Sequence, residues 1–189
     1  ILNKIFKNQS GKILDLACGS GRLTNFATSG ADASEEMLKI AQKKHSVKEF
    51  FQAKSNDLPF EKESFQGCLT FHFIMHLDEV VFTKTIDEVH RILSKNGTFV
   101  FDIPVKNRRK IINQNQENWH AALSFNQDEI EKFIKNKFEI RKKFGLLIIP
   151  IHRIPKRFRK YFLTFDFLLS NFGLLKNLSS YHIYELRKI

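Results

Sequence analysis

The sequence has few of the residues that mark specialised protein classes. It contains two cysteines, four prolines and eight glycines among 189 residues, which excludes a disulfide framework, a collagen-like repeat and a low-complexity chain. No apolar run approaches the roughly 20 residues that cross a bilayer, because the best run, from Leu146 to Ile151, is broken by Pro150. The length of 189 residues predicts a single domain over residues 1–189. Because the two cysteines form no disulfide framework, we expect a reducing, cytoplasmic compartment.

Targeting and metal-binding signals are also missing. The chain starts at Ile1 directly into a short amphipathic stretch, so we expect no signal peptide. Its first methionine is Met37, which indicates that the sequence is not a whole translation product. No second Cys or His lies at ligand spacing from Cys18 or Cys68, so no metal site is predicted.

Positive charge is abundant and unevenly distributed. The net charge is +11, and residues 141–189 hold eleven Lys and Arg against the two acids Asp166 and Glu185. The first 140 residues are thus close to neutral. This imbalance indicates an acidic substrate, a phosphate or an anionic surface that meets the C-terminal region.

Short apolar runs alternate with amphipathic helical ones. This alternation is typical of βαβ units and a mostly parallel sheet, so it predicts an α/β fold. The predicted strands are 12–17, 48–53, 65–73, 98–103, 138–149 and 181–187. Helices are predicted after Ser34, near Asp78 and at Asn126, with Ile130, Phe133 and Ile134 facing inward in the last of them.

Helix ends are indicated by capping residues. Ser34 is followed by Glu35 and Glu36, and Met37, Leu38 and Ala41 give that helix an apolar face. In the helix after Asp78, an apolar stripe recurs at helical spacing and consists of Phe82, Ile86, Val89 and Leu93. Gly97 is expected just beyond the C-terminus of this helix.

One connection is too short for its predicted role. A parallel crossover usually needs a dozen or more residues, and only ten separate Ala17 from a second strand near Thr28. We expect residues to be missing between about Leu23 and Ser29; the alternative is a first helix that is truly stunted.

A glycine-rich turn follows the first strand. Gly19 and Gly21 lack Cβ, so the backbone can approach a ligand closely at the carboxyl end of that strand. Thr24 stands where a dinucleotide fingerprint has its third glycine, and no phosphate-loop lysine is present. The turn therefore predicts a ligand site that is neither a dinucleotide-binding fingerprint nor a phosphate-binding loop.

With Asp15 inside the strand, the segment 13–24 resembles motif I of the class I S-adenosylmethionine (SAM)-dependent methyltransferases, of the methyltransferase type 11-like kind. Segments 30–38, 56–65, 70–77 and 90–104 are similar to later motifs of the family, in the right order, with Lys95-Asn96-Gly97 where Pro-Gly-Gly is usual. The resemblance is close over residues 11–104 and loose beyond. It implies a Rossmann-like, seven-stranded, mostly parallel sheet with an antiparallel last strand and helices on both faces.

The resemblance also implies a SAM site, with S-adenosylhomocysteine as the product. Asp32 would accept hydrogen bonds from the ribose hydroxyls of SAM, and Asp15 would help to hold the ammonium group of its methionine part. Phe71 and His76 would lie near the methyl donor or the reacting centre. The implied cofactor-binding residues are Asp15, Ala17, Cys18, Gly19, Gly21, Arg22, Asp32, Ala33, Met37, Ser55, Asn56, Phe71 and His76. For Cys18 the alternative is a packing role, and His72 is interpreted as structural or as a pocket wall.

The sequence departs from the family at the residue that reads adenine. Lys54 occupies that position, and a lysine cannot accept the hydrogens of the adenine amino group. Ser55, Asn56 or the backbone would have to do so.

Catalysis would consist mainly of in-line orientation of the methyl group and the acceptor, because the donor is already activated. His76 and His120, the latter beside the single tryptophan, are the candidate general bases.

Two segments, about 105–125 and 150–180, are predicted to form an acceptor-side lid. The second carries an apolar stripe at helical spacing (Phe158, Phe162, Phe165, Leu169 and Phe172). This stripe either packs on the core at the mouth of the site or forms a greasy, basic surface for an anionic lipid or prenylated acceptor.

Three functions remain open. The first is methyl transfer to a small-molecule or lipid-like acceptor, and the positive charge of the chain favours an anionic one. The second is an RNA methyltransferase that uses the basic C-terminal region as its nucleic-acid contact. The third is a non-catalytic SAM-binding scaffold, since Lys54 weakens the case for tight cofactor binding.

Overall fold

The computed structural model of the chain describes residues 1–7, 9–105, 127–149 and 154–189. Five α-helices lie in these ranges: α1 Leu2–Phe6, α2 Glu35–Lys44, α3 Glu79–Ile92, α4 Gln127–Ile134 and α5 Arg159–Ser170. The strands are β1 Ile13–Leu16, β2 Ser29–Asp32, β3 Glu49–Gln52, β4 Phe65–Thr70, β5 Leu93–Pro104, β6 Phe138–Leu146 and β7 Tyr181–Lys188.

The seven strands form one sheet in the order β3-β2-β1-β4-β5-β7-β6. The strands from β1 to β5 pair in parallel, whereas β7 runs antiparallel between β5 and β6. The predicted α/β architecture with an antiparallel last strand is confirmed. The strand order reverses at β1, and open α/β sheets bind their ligands at the carboxyl ends of the strands at such a point.

Both faces of the sheet are covered, so β1 is buried along its whole length. On one face, Leu14, Cys68 and Phe99 pack in a cluster with α3 and with Ile130 and Ile134 of α4. On the other face, a second cluster includes α1 and the β1–β2 connection (Leu2, Phe6, Ile13, Ala27, Leu69, Val100 and Ile183). The inward positions predicted for α4 are confirmed, with Phe133 half-buried against the core.

The β1–β2 crossover is short. The chain passes from β1 to β2 through a single 3₁₀ turn, Thr24–Phe26, and the backbone N–H of Thr28 bonds to the carbonyl of Ile13. Lys48 donates to the carbonyls of Thr24 and Ala27. Carbonyls that a longer helix would pair internally thus take a lysine ammonium group instead. The expectation of missing residues between about Leu23 and Ser29 stays a prediction.

The predicted Ser34 cap is confirmed, because its side chain accepts the backbone N–H of Met37. The predicted helix start near Asp78 is also confirmed, and the Asp78 side chain accepts the backbone N–H of Val81. Met37, however, is 42% exposed while Leu38 and Ala41 are buried, so its predicted place on the apolar face is wrong. The positions that face the sheet are 38 and 41, and residue 37 is rotated about 100° away from 38.

The predicted role of Gly97 is also wrong. Helix α3 ends at Ile92, and Leu93 is already extended and paired with Phe65. The left-handed residue of the segment is Asn96, with φ 63°, where β5 bends before it pairs with Gly67. Strand β5 therefore starts at Leu93, four residues before Gly97, the residue expected to lie just beyond the end of the helix.

Helix α5 belongs to the long connection between β6 and β7. It packs on β6 through buried Asp166 and Ser170, while the predicted phenylalanine stripe is exposed. The interpretation that this stripe packs on the core is therefore wrong. Within the described ranges, no helix has the length and apolar character needed to cross a membrane.

Candidate active site

A cleft of about 510 Å³ opens at the carboxyl ends of the central strands. It is lined by Leu16, Ala17, Asp32, Ala33, Ala53, Lys54, Ser55, Asn56, Phe71, His72, Phe73 and Val81. A hollow of about 450 Å³ adjoins it, sharing Ala33, Ala53 and Lys54 and adding Gln52, Asp57 and Pro59. The volume lies in the range of small-molecule and cofactor sites.

The backbone turns sharply where two adjacent strands reach the cleft. Ala17 follows β1 and His72 lies just beyond β4, and both have φ 55°, in the left-handed region. Residues with a Cβ seldom adopt this conformation, and it costs about 1–3 kcal/mol where they do. Such turns redirect both chains at the strand ends and bring Ala17 and His72 into the lining of the cleft.

Asp32 ties the first two strands together at this edge. One carboxylate oxygen accepts the backbone N–H of Gly19 at 2.8 Å, and the other accepts that of Ser34 at 2.9 Å. A carboxylate oxygen can accept a second hydrogen bond. The half-buried Asp32 side chain is thus held in place while it retains acceptor capacity toward the cleft.

The two glycines of the turn differ in their surroundings. A side chain at Gly19 would point into open space, although its φ of 50° disfavours one. At Gly21, with φ 74°, a Cβ would lie 2.9 Å from the ring of His45 in the segment that ends α2. Gly19 therefore leaves room beside the backbone for a ligand, whereas Gly21 allows the turn to pack against the end of α2.

Asp15 lies below the turn and is 3% exposed. Its carboxylate accepts the Thr24 hydroxyl at 2.7 Å. Burial raises the pKa of Asp15 to about 6, against the lowering effect of the Thr24 hydrogen bond. Asp15 therefore supports the turn from within, and it is not among the residues that line the cleft.

Cys18 has a packing position. Its sulfur faces Gly30, where a Cβ would come within 2.9 Å of it. Burial raises the pKa of the Cys18 thiol to about 12, so the thiol is neutral at physiological pH.

The opposite wall of the cleft comes from the segment after β3. The hydroxyl of Ser55 is hydrogen-bonded to Thr85 of α3 at 2.8 Å, and Asn56 is half-exposed beside it. Lys54 is exposed and lines both the cleft and the adjoining hollow, where Asp57 supplies a carboxylate. A cation and a carboxylate therefore flank the position expected for adenine.

His72 lies in the cleft wall beside Asp102 of β5. Asp102 accepts the backbone N–H of His72 at 2.7 Å, and its other oxygen lies 3.7 Å from His72 Nδ1. The His72 ring meets Tyr181 edge to face at a centroid distance of 5.7 Å. Burial raises the pKa of Asp102, while the His72 N–H and the charges of His72 and Arg22 work in the opposite direction. The sequence predicts His72 only as a structural residue or a pocket wall and does not single out Asp102, although both residues lie near the carboxyl ends of predicted strands.

The structure brings together in the cleft six of the predicted cofactor-binding residues, namely Ala17, Asp32, Ala33, Ser55, Asn56 and Phe71. Met37 and His76 are exposed and are not among the lining residues, and Arg22 lies near Asp102 rather than in the wall. His120 lies outside the described residues. In the part of the chain that the structure describes, no group of three or more His, Cys, Asp or Glu side chains could hold a metal ion.

These features fit an adenosyl ligand. Asp32 presents a fixed carboxylate suited to vicinal hydroxyls, Gly19 leaves open space beside the backbone, and Phe71 lends an aromatic surface. A sulfonium cation is attracted by aromatic faces. Six of the residues predicted to hold SAM therefore lie around the cleft.

Comparison with known proteins agrees with this geometry. The sequence model of the family described as "Methyltransferase domain" matches residues 14–101. The protein YqeM of Bacillus subtilis, named as a methyltransferase, is 31% identical over 108 residues, which cover 50% of this chain and 43% of YqeM. The ubiquinone/menaquinone biosynthesis C-methyltransferase UbiE of Rickettsia felis is 32% identical over 111 residues, covering 49% of this chain and 44% of UbiE.

A solved structure shows the same fold over nearly the whole chain. It is a Thermotoga maritima protein described as a SAM-dependent methyltransferase, possible histamine N-methyltransferase, with a TM-score of 0.72 and 19% identity. The match covers 96% of this chain and 83% of that protein. The sequence matches to YqeM and UbiE, in contrast, span less than half of either relative. Residues 14–101 are therefore similar in sequence to the methyltransferase-domain family, and the chain has the fold of a SAM-dependent methyltransferase of known structure.

Proposed function

We propose that the chain binds SAM in the cleft and transfers its methyl group to a small, lipid-like acceptor. The observation that carries the proposal is the Asp32 carboxylate, fixed by Gly19 and Ser34 at the mouth of a cleft of cofactor size. The similarity to UbiE, whose name denotes quinone C-methylation, supports the acceptor class.

The residues in and beside the cleft divide into three groups. Asp32 and Ala33 bind the ribose side, with Ser55 and Asn56 at the adenine end. Ala17, Gly19 and the buried Asp15 shape the turn beside the methionine part, as expected from the resemblance. Phe71 and His72 form the wall on the opposite side, where the acceptor approaches.

Bound SAM supplies an electrophilic methyl group on a cationic sulfur. The chain contributes position, since in-line alignment of two bound molecules accounts for much of such a rate enhancement. The candidate for taking up the proton that the acceptor gives up is His72, because its ring lines the cleft and its Nδ1 lies 3.7 Å from the Asp102 carboxylate. We therefore favour His72 over His76 as the general base.

The RNA-methyltransferase alternative loses part of its support in the fold. The C-terminal positive charge does not form one free face, because Lys188 is buried against the carbonyl of Leu93 at 2.6 Å and Arg187 lies 3.9 Å from Glu139.

The cysteines of the described chain are free and buried, and we keep the expectation of a reducing, cytoplasmic compartment.

The test is transfer of radiolabelled methyl from SAM. Candidate acceptors are a demethylated quinol with a short prenyl tail and an RNA transcript, each assayed with the chain and with Asp32→Ala. We expect label in the quinol, dependent on Asp32. Label in RNA would establish the nucleic-acid alternative, and no transfer to any acceptor despite SAM binding would leave the scaffold alternative.

A further inference from the structure

We propose that the outer face of helix α5 docks the protein on the surface of an anionic lipid bilayer. We call this face the aromatic ridge and define it as Phe158, Tyr161, Phe165, Leu168 and Phe172. The proposal goes beyond methyl transfer and does not require it, because it concerns where the protein resides rather than what the cleft binds.

The ridge is a continuous line of large apolar side chains in solvent. Tyr161, Phe165 and Leu168 follow one another at helical spacings of three or four along one side of α5, and Phe158 and Phe172 flank its two ends. Tyr161 is 65% exposed, Phe165 54%, Leu168 63% and Phe172 74%. Single exposed apolar residues are ordinary, but a contiguous row of this kind marks an interaction surface.

Hydrogen bonds hold the helix in this orientation. Asp166, which is 2% exposed, accepts the backbone N–H groups of Leu147 at 2.9 Å and Ile149 at 2.7 Å. One turn further on, Asn171 exchanges hydrogen bonds with the backbone of Gly145. Rolling the ridge toward the sheet would break these bonds and expose a buried carboxylate, so the apolar side chains stay outside.

Positive charge lies at one end of the ridge. Lys156, Arg157 and Lys160 are exposed, with Arg157 4.7 Å from the Phe158 ring centre and Lys160 4.9 Å from that of Tyr161. From Ile154 to Ser180 the sequence has one acid, Asp166, and it faces inward. Apolar side chains beside unopposed cations match a bilayer with anionic headgroups.

The ridge also lies at the edge of the sheet where the cleft opens. Strand β6 runs parallel to β5, so the β6–β7 connection leaves from the carboxyl ends of the strands. Tyr181, which ends this connection, contacts His72 of the cleft. A bilayer on the ridge would therefore approach the acceptor side of the site.

An RNA strand and a second copy of the chain are weaker matches. Bases need flat stacking surfaces and a basic groove along the backbone, whereas Leu163 and Leu168 break the aromatic row and the cations cluster at one end. A second copy meeting the same ridge would bring like charges together.

The test is flotation of the full chain with vesicles of phosphatidylcholine containing about 30% phosphatidylglycerol, compared with pure phosphatidylcholine. We expect the full chain to bind the anionic vesicles. The affinity for these vesicles should fall about fivefold for each basic residue removed, or about 100-fold for Lys156→Glu, Arg157→Glu and Lys160→Glu combined. The matched control, Lys4→Glu, Lys43→Glu and Lys84→Glu, changes the net charge equally on other exposed helix positions and should lose much less.

A second pair of variants tests the apolar part. Phe165→Ser with Leu168→Ser should abolish flotation, whereas Val47→Ser with Val80→Ser, at two other exposed positions, should not. Circular dichroism confirms that each variant is folded. Failure of the wild type to float, equal losses in the controls, a dimer that the ridge variant dissociates, or retention on RNA without vesicle binding would each overturn the proposal. Binding of S-adenosylhomocysteine is measured separately, so a failure here does not touch the proposed function.

Discussion

Gly19 donates its backbone N–H to the Asp32 carboxylate at 2.8 Å and so ties the turn after β1 to the end of β2. The same carboxylate accepts the N–H of Ser34, which caps α2. One side chain thus sets the shape of the turn, the start of a helix and the polar edge of the cleft. The predictions below separate its part from that of its neighbours.

His72 is expected to be the histidine that most affects turnover. His72→Gln should lower kcat by about 100-fold or more, a usual effect of losing a general base, while the affinity for S-adenosylhomocysteine changes by less than about twofold. His76→Gln is the matched control, as His76 is exposed and not among the lining residues. A larger loss for His76→Gln than for His72→Gln would restore His76 as the base.

Lys54 is expected to weaken cofactor binding. Lys54→Asp should tighten S-adenosylhomocysteine binding by about tenfold, because a carboxylate can accept the adenine amino hydrogens. Lys54→Ala separates this gain from mere removal of a cation and should have a smaller effect. Isothermal titration calorimetry gives both values; if the two variants bind equally, the carboxylate does not reach adenine.

Asp15 is expected to make stability depend on pH. Because burial raises its pKa to about 6 from 3.8, the folded protein binds a proton that the unfolded chain has released between about pH 4 and 6. The stabilising effect of the proton is complete below pH 4 and is lost as the pH rises through 6, at a cost of about 3 kcal/mol. Asp15→Asn should therefore be more stable than the wild type at pH 8 and little changed at pH 4. Urea unfolding of both proteins at pH 8 and at pH 4 checks this. An equal difference in unfolding free energy between Asp15→Asn and the wild type at the two pH values would contradict it.

Lys48 is expected to stabilise the short crossover. Lys48→Met should reduce the free energy of unfolding by about 1–3 kcal/mol, since it leaves the carbonyls of Thr24 and Ala27 without a charged donor. Lys43→Met, at an exposed position of α2, is the control. Chemical denaturation measures both, and equal losses would show that Lys48 acts only as a surface charge.

The parts of the fold that could be predicted from the sequence depend on local signals. Ser34 and Asp78 are caps because their side chains reach backbone N–H groups three residues away. The strands at 13–16 and 65–70 are recognisable as apolar runs beside turn residues, and the family resemblance implied the seven-stranded sheet with its antiparallel last strand.

The features that could not be predicted depend on distant partners. His72 gains its role from Asp102, 30 residues away, and α5 keeps its phenylalanines outside because Asp166 is held by Leu147 and Ile149 of another segment. Helical spacing shows that a stripe exists, but the buried acid decides which side of the helix faces the sheet. Asn96 likewise replaces Gly97 as the left-handed residue because β5 is already paired at Leu93.

The central claim is that the cleft binds an adenosyl ligand through Asp32. Calorimetry with S-adenosylhomocysteine tests it most directly, with wild type, Asp32→Ala and the control Glu36→Gln, an exposed acid in the first turn of α2. The account predicts saturable binding to the wild type and the control, and a loss of about 100-fold or more in Asp32→Ala. No heat of binding with the wild type, or equal affinity in Asp32→Ala while the protein stays folded, would contradict it.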